Sequence, residues 1–152
     1  MGDCTNADMS IPSCRVRGGD DKKQMIFSGS HNGIPHFDMV LDGTKTQTRR
    51  VNRGKYQVGK SYAIQSCRTC KGIEGYRIVM NRIWKEDGKK STISESGRKY
   101  SYATEICISA KDALAEGGYI PDEYDKVFRE LNPKWTGWSR WAFEFHVIEV
   151  PK

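Results

Sequence analysis

No stretch of this 152-residue chain approaches the roughly 20 consecutive apolar residues that a membrane-spanning helix needs. Nor does it begin with the apolar core of a secretory leader, so a cytoplasmic location and no membrane partner are expected. Internal repeats are missing, and low complexity is confined to the polar first residues. The most informative absence is local: residues 43–73 contain no acidic side chain. Lys45, Arg49, Arg50, Arg53, Lys55, Lys60, Arg68 and Lys71 give that window +8, whereas residues 1–42 sum to −2 and residues 74–152 to zero. The net charge of +6 therefore comes from one segment. Such an asymmetry favours a polyanionic or phosphate-bearing ligand; the plainer alternative is a solvated basic face.

Metal ligands are also sparse. Cys67-Arg68-Thr69-Cys70 has the spacing of half a structural zinc site, but no second half exists nearby. Cys4 and Cys14 lie far upstream, and His31, His36 and His146 are scattered. A composite site with Cys4 and Cys14, or a redox-active dithiol, are the alternatives. Two free surface thiols are expected in a reducing compartment, with no metal and no cofactor.

Only 37% of residues are hydrophobic and 29% are charged, which suits one domain with a modest core. Residues 1–23 are polar, lack periodicity and end in Gly18-Gly19-Asp20-Asp21-Lys22-Lys23. They read as a disordered or weakly ordered tail, leaving residues 24–152 as the domain. Met25-Ile26-Phe27 is a first strand. Pro35 suits the opening turn of a helix, and Phe37, Val40 and Leu41 form its apolar stripe. Gly43 then stands where a left-handed C-cap is wanted. Thr44 to Val51 is rich in β-branched residues and reads as extended.

Further strands are expected at Ser61–Gln65, at Gly75–Lys85 with Tyr76, Ile78, Met80 and Trp84 on one side, and at Ala142–Val150. Glu86 to Ser101 is a loop or a solvent-facing hairpin, with Tyr100–Thr104 returning as a strand. Ser109-Ala110-Lys111-Asp112 has the form of a capping box and opens a short helix closed by Gly117-Gly118. Glu116 falls at the C-terminal end of that helix, where the dipole disfavours a carboxylate, a mild pointer to function. Pro121 starts a second helix carrying the stripe Tyr124, Val127, Phe128 and Leu131. Trp135, Trp138 and Trp141 are read as packing residues in preference to a base-stacking platform. Five or six strands with short helices and uneven connections indicate an α+β domain built on a small β-barrel.

The most concentrated chemistry lies in Leu41-Asp42-Gly43-Thr44-Lys45-Thr46-Gln47-Thr48-Arg49-Arg50. By residue type alone it is compatible with a basic edge strand. Its pattern Gly-x-Lys-Thr-x-Thr-Arg-Arg after a short helix, however, resembles the signature of the ASCH domain, a small β-barrel related to RNA-binding PUA domains. Phe27-Ser28, Tyr62-Ala63-Ile64-Gln65 and Asp112-Ala113-Leu114-Ala115-Glu116-Gly117 support the likeness, which runs from about Met25 to Val150 and is nearest the phage and bacterial branch. Glu86 to Ile108 is longer than the usual link, and Cys67-x-x-Cys70 replaces a loop that often carries proline and glycine.

Similar proteins include amidohydrolases that remove the acetyl group from N(4)-acetylcytidine. The resemblance implies Lys45, Thr48 and Glu116 as the catalytic set, with Arg49, Arg50, Arg68 and Lys71 binding substrate or nucleic acid, so that a modified nucleoside or RNA is the expected partner. Thr48 would need a base beside it, and Lys45 serves if burial and the neighbouring arginines keep it neutral. Glu116 would protonate the leaving amine. One geometric condition follows. Residues i and i+3 of a regular strand face opposite sides, so Lys45 and Thr48 converge only if Lys45 still belongs to the turn or a bulge intervenes. The alternative is a non-catalytic RNA- or nucleotide-binding module with a basic groove.

Overall fold

The computed structural model describes residues 24–104 and 106–151, so the expected tail, residues 1–23, lies outside the described residues. Strands are β1 (Gln24–Ile26), β2 (Ser30–His31), β3 (Ile34–Pro35), β4 (Gln47–Arg50), β5 (Ser61–Gln65), β6 (Tyr76–Asp87), β7 (Lys89–Glu95), β8 (Arg98–Thr104) and β9 (Ser139–Glu149). Helices are α1 (His36–Asp42), α2 (Ala110–Ala115) and α3 (Pro121–Leu131). Five strands form one sheet in the order β1-β5-β6-β9-β4, and β2–β3 and β7–β8 are separate hairpins. The domain is thus α+β as expected, and the polar stretch after Glu86 is a hairpin.

The expected closed barrel is not found among the described residues. The sheet's edges, β1 and β4, are only three and four residues long, too short for a closing ladder. A side chain spans the gap instead: Arg50 of β4 donates to the Ile26 carbonyl of β1. The sheet is curled rather than closed.

Register explains which side chains meet. Residues directly opposite in an antiparallel pair share a face. Arg49 pairs with Ala142, which pairs with Trp84, and Arg140 pairs with Glu86. Arg49, Ala142, Trp84, Arg140 and Glu86 therefore share one face. Thr48, Phe143 and Ile83 share the other. The register of β6 slips between Met80 and Arg82. That bulge corrects the expected alternation: Ile78 and Met80 enter the core, but Ile83 follows them in place of Trp84.

Two apolar clusters result. One joins Met25, Phe27, Val40, Tyr62, Ile64, Ile78, Met80, Phe143 and Phe145. The other gathers Ile108, Ala113, Tyr119, Tyr124 and Phe128 beneath α2 and α3, with Trp135 packed edge-on against Phe128. Leu131, the last residue of the expected stripe, is instead exposed. Between α2 and α3 the chain passes through Gly117 at φ 129°, where a Cβ would lie 2.8 Å from the buried Met39 sulfur. Gly117→Ala should therefore lose about 1–3 kcal/mol, read as a lower urea midpoint with unchanged slope.

Candidate active site

Local hydrogen bonds lift the motif lysine out of the sheet. Gly43 caps α1 at φ 86°, and the Thr44 amide donates to the Asp42 carboxylate at 2.8 Å. Lys45 N–H then turns back to the Met39 carbonyl at 3.0 Å, and Thr46 N–H reaches the Ala115 carbonyl of α2 at 2.8 Å. The ladder with β9 begins only at Gln47. Lys45 thus belongs to the turn and not to β4, which frees its side chain from strand alternation. Lys45, Thr48 and Glu116 all line one cavity of about 400 Å³.

Lys45 Nζ donates to Glu116 twice, to the main-chain carbonyl at 2.8 Å and to Oε1 at 2.9 Å. One amine therefore answers both the C-cap carbonyl that follows α2 and the carboxylate that the helix dipole disfavours. Both side chains are buried, with exposures of 4% and 1%. Burial lowers the Lys45 pKa; Glu116 opposes the shift, and Arg50 and Arg49 add to it. The amine is consequently closer to its neutral form at physiological pH than an exposed lysine is.

Arg49 holds the other carboxylate oxygen. Its Nη1 donates to Glu116 Oε2 at 2.8 Å and to Gln47 Oε1 at 2.9 Å. Nε and Nη2 form a fork on Glu86 at 3.0 and 2.9 Å, and Nη2 also lies 3.2 Å from Asp112. Four of the five guanidinium hydrogens make these hydrogen bonds, and the remaining Nη2 hydrogen sits beside the Asp112 carboxylate. Arg49, expected to bind substrate, lines the cavity but turns its donors onto Gln47, Glu86 and Glu116, and so fixes Glu116. Gln47 also donates to Asp112 at 3.1 Å. Beyond Arg49, Glu86 accepts from Arg140 at 2.8 Å, and Arg140 reaches Asp125 of α3 at 3.3 Å. Arg140 is wholly buried and lies against the rings of Tyr124, Phe128 and Trp135.

The remaining expected residues divide. Arg50 and Arg68 line the cavity, whereas Lys71 does not and is exposed. Lys71 lies just beyond the loop that Cys67 and Cys70 close. Those cysteines form a disulfide, which corrects the expected free thiols. None of Trp135, Trp138 and Trp141 lines the cavity.

Several contributors carried no sequence signal. His36 accepts a hydrogen bond from the Tyr119 hydroxyl at 2.8 Å on Nε2, its Nδ1–H being given to the Ser28 carbonyl at 3.1 Å. Burial, then the charge of Lys45, lowers its pKa, so the ring is neutral and its tautomer is set by these two partners. Tyr119 is pushed up to about 12 by burial and by Glu116. Tyr124, a lining residue on the expected α3 stripe, is raised well above the ordinary tyrosine value by burial and then Glu116. Glu86 and Arg140 lie just outside the expected strands Gly75–Lys85 and Ala142–Val150, in stretches that carried no sign of a site; the structure includes them in β6 and β9.

The site and the fold together define a class: an α+β domain with a lysine–carboxylate–arginine cluster opening onto a cavity beside the edge strand of a curled sheet. No protein-family model matches the chain, and no curated protein matches it in sequence. Among solved structures, the ASCH domain of Lactobacillus crispatus superposes with a TM-score of 0.52 at 14% identity, covering 84% of this chain and 82% of that one. Protein EF3133 of Enterococcus faecalis gives 0.49 at 15% identity, with 88% and 85% covered. The chain has the ASCH fold.

Two measurements test the ion network. Arg49→Ala strands buried carboxylates and should cost about 3–5 kcal/mol by urea unfolding, with Arg49→Lys failing to restore it because a single ammonium cannot fork. Burial alone would raise the Glu86 pKa, but Arg49 and then Arg140 hold it below its ordinary 4.5. A depressed folded pKa contributes stability above the unfolded value that is lost as pH falls through the folded one. Urea midpoints followed downward from neutral pH should thus fall below about pH 4.5 in the wild type and flatten there in Glu86→Gln.

Proposed function

We propose that this protein is an amidohydrolase acting on N(4)-acylated cytidine, with Lys45, Thr48 and Glu116 as its working groups. The observation that carries the reading is that one cavity is lined by Thr48, by a lysine whose pKa burial depresses, and by a glutamate whose carboxylate lies 2.9 Å from that amine. A site that only bound nucleic acid would have no use for a desolvated amine. It would spread its arginines outward, whereas here Arg49 is turned inward onto acids.

In this mechanism the neutral Lys45 amine takes the Thr48 hydroxyl proton as Oγ attacks the acyl carbon. The proton passes along the 2.9 Å contact to Glu116 Oε1, which the fixed arginine holds in place. Collapse of the tetrahedral adduct breaks the bond to the exocyclic nitrogen, which leaves with that proton from Glu116. Water, deprotonated by Lys45, then attacks the threonine ester; Lys45 returns that proton to Thr48 Oγ as the ester bond breaks and the carboxylic acid leaves. The net change is amide plus water to amine plus acid.

Incubation with N(4)-acetylcytidine should release cytidine and acetate. Thr48→Ala and Lys45→Met should lose turnover, and Glu116→Gln should slow it by about 10²–10⁴-fold. The rate should fall on the acid side as the Lys45 amine becomes protonated. No turnover by the wild type, or full turnover by Thr48→Ala, would return the protein to the alternative of a binding module without catalysis.

A further inference from the structure

Among the described residues, four lysine and arginine side chains line the cavity: Lys45, Arg49, Arg50 and Arg68. Two of them are answered. Lys45 faces Glu116 at 2.9 Å, and Arg49 meets Glu116, Glu86 and Asp112 at 2.8–3.2 Å. Neither Arg50 nor Arg68 is paired with an acid among the described residues. Arg50 spends one donor on the Ile26 carbonyl and lies 6.0 Å from the Phe27 ring centre. Burial lowers its pKa, and the more distant charges of Tyr56, Glu116 and Tyr124 offset this only in part, the mark of a cation held where charge is costly.

Both arginines stand at one rim. Arg50 touches Ile26, the last residue of β1, and Ile26 pairs with Gln65, the last residue of β5. Arg68 follows three residues later, within the ring closed by the Cys67–Cys70 disulfide. That ring is further tied by the Cys70 amide to the Cys67 carbonyl at 3.2 Å and by the Gln65 side chain to the Cys70 carbonyl at 2.7 Å. Arg68 is thereby exposed yet based on a short, anchored loop.

We propose that Arg50 and Arg68, at the β1 rim of the cavity, form a phosphate subsite, and that the ligand is a mononucleotide bearing a phosphomonoester. Two unanswered positive charges match a phosphomonoester, which carries close to two negative charges at neutral pH, better than a chain phosphodiester with one. A hollow of about 400 Å³ holds one small ligand and does not enclose a strand. The base end of this assignment rests on the amidohydrolase reading; the phosphate end does not.

The test is titration calorimetry with cytidine and with cytidine 5′-monophosphate. The wild type should bind the nucleotide about 10–100-fold more tightly, and the ratio should fall towards one in Arg68→Gln and in Arg50→Gln. Arg68 is exposed, so its variant keeps the test decisive should loss of the Arg50 tie between β4 and β1 prevent folding. Equal binding of the two ligands, binding of neither, or a preference that survives in Arg68→Gln overturns the subsite. A 5′-phosphorylated oligoribonucleotide binding as well as the mononucleotide supports the subsite and identifies a chain end as the phosphate source. Tightest binding by an oligonucleotide with internal phosphates alone overturns it. Phosphate preference without deacylation retires the amidohydrolase reading and leaves the subsite; deacylation with no preference does the reverse.

Discussion

Glu116 shares its carboxylate between an amine and a guanidinium, and most of the architecture is needed to keep it there. Taking such a group to 1% exposure is unfavourable unless both oxygens are answered. Lys45 answers Oε1 from the turn after α1, and Arg49 answers Oε2 from β4. Arg49 in turn grips Glu86 on β6 and Asp112 on α2, and Arg140 carries the chain of charges from Glu86 to Asp125 on α3. The helices are thus bound to the sheet by alternating charges as well as by the cluster around Tyr124 and Phe128. Such a network is poor evidence for stability, since an apolar replacement of equal volume often does as well. What it supplies here is position.

Position matters because the two cations on Glu116 are not equivalent. Arg49 keeps its charge under any physiological condition, and its contact with Oε2 holds the carboxylate in one orientation. Lys45 can lose its proton, and burial pushes it that way more strongly than Glu116 pulls it back. The site therefore holds one permanent charge and one removable one around the same carboxylate. Environments that push neighbouring groups apart in this way are the usual basis for assigning acid and base roles.

The parts of this arrangement written in short sequence signals were legible. Gly43 at φ 86°, the Ser109 hydroxyl accepting from the Asp112 N–H at 3.1 Å, and a helix opening at Pro121 all follow from local chemistry. Glu116 was visible as a carboxylate at the wrong end of a helix, and its explanation, Lys45, lies 71 residues away. Glu86 and Arg140 gave no warning because only the β6–β9 register brings them together. Trp84 was assigned to the wrong face because a bulge leaves no trace in an alternating pattern. A pair of cysteines at CxxC spacing does not distinguish thiols from a disulfide, and barrel closure depends on strand edges that the sequence does not measure.

The charge asymmetry of residues 43–73 shows how composition and surface can diverge. Read along the chain, it suggests a basic groove; folded, its members part company. Arg49 is neutralised inside, Arg53 donates to the Tyr56 carbonyl at 2.8 Å and lies 5.6 Å from the Trp141 ring centre, and Lys71 does not line the cavity. Among the described residues, Arg50 and Arg68 are the lining cations without an acid in ion-pair contact. A sheet curled so that β1 and β4 nearly meet converts a stripe of bases into one charged rim beside one buried carboxylate. Selectivity in such a site comes from a ligand long enough to reach both and small enough to fit between them.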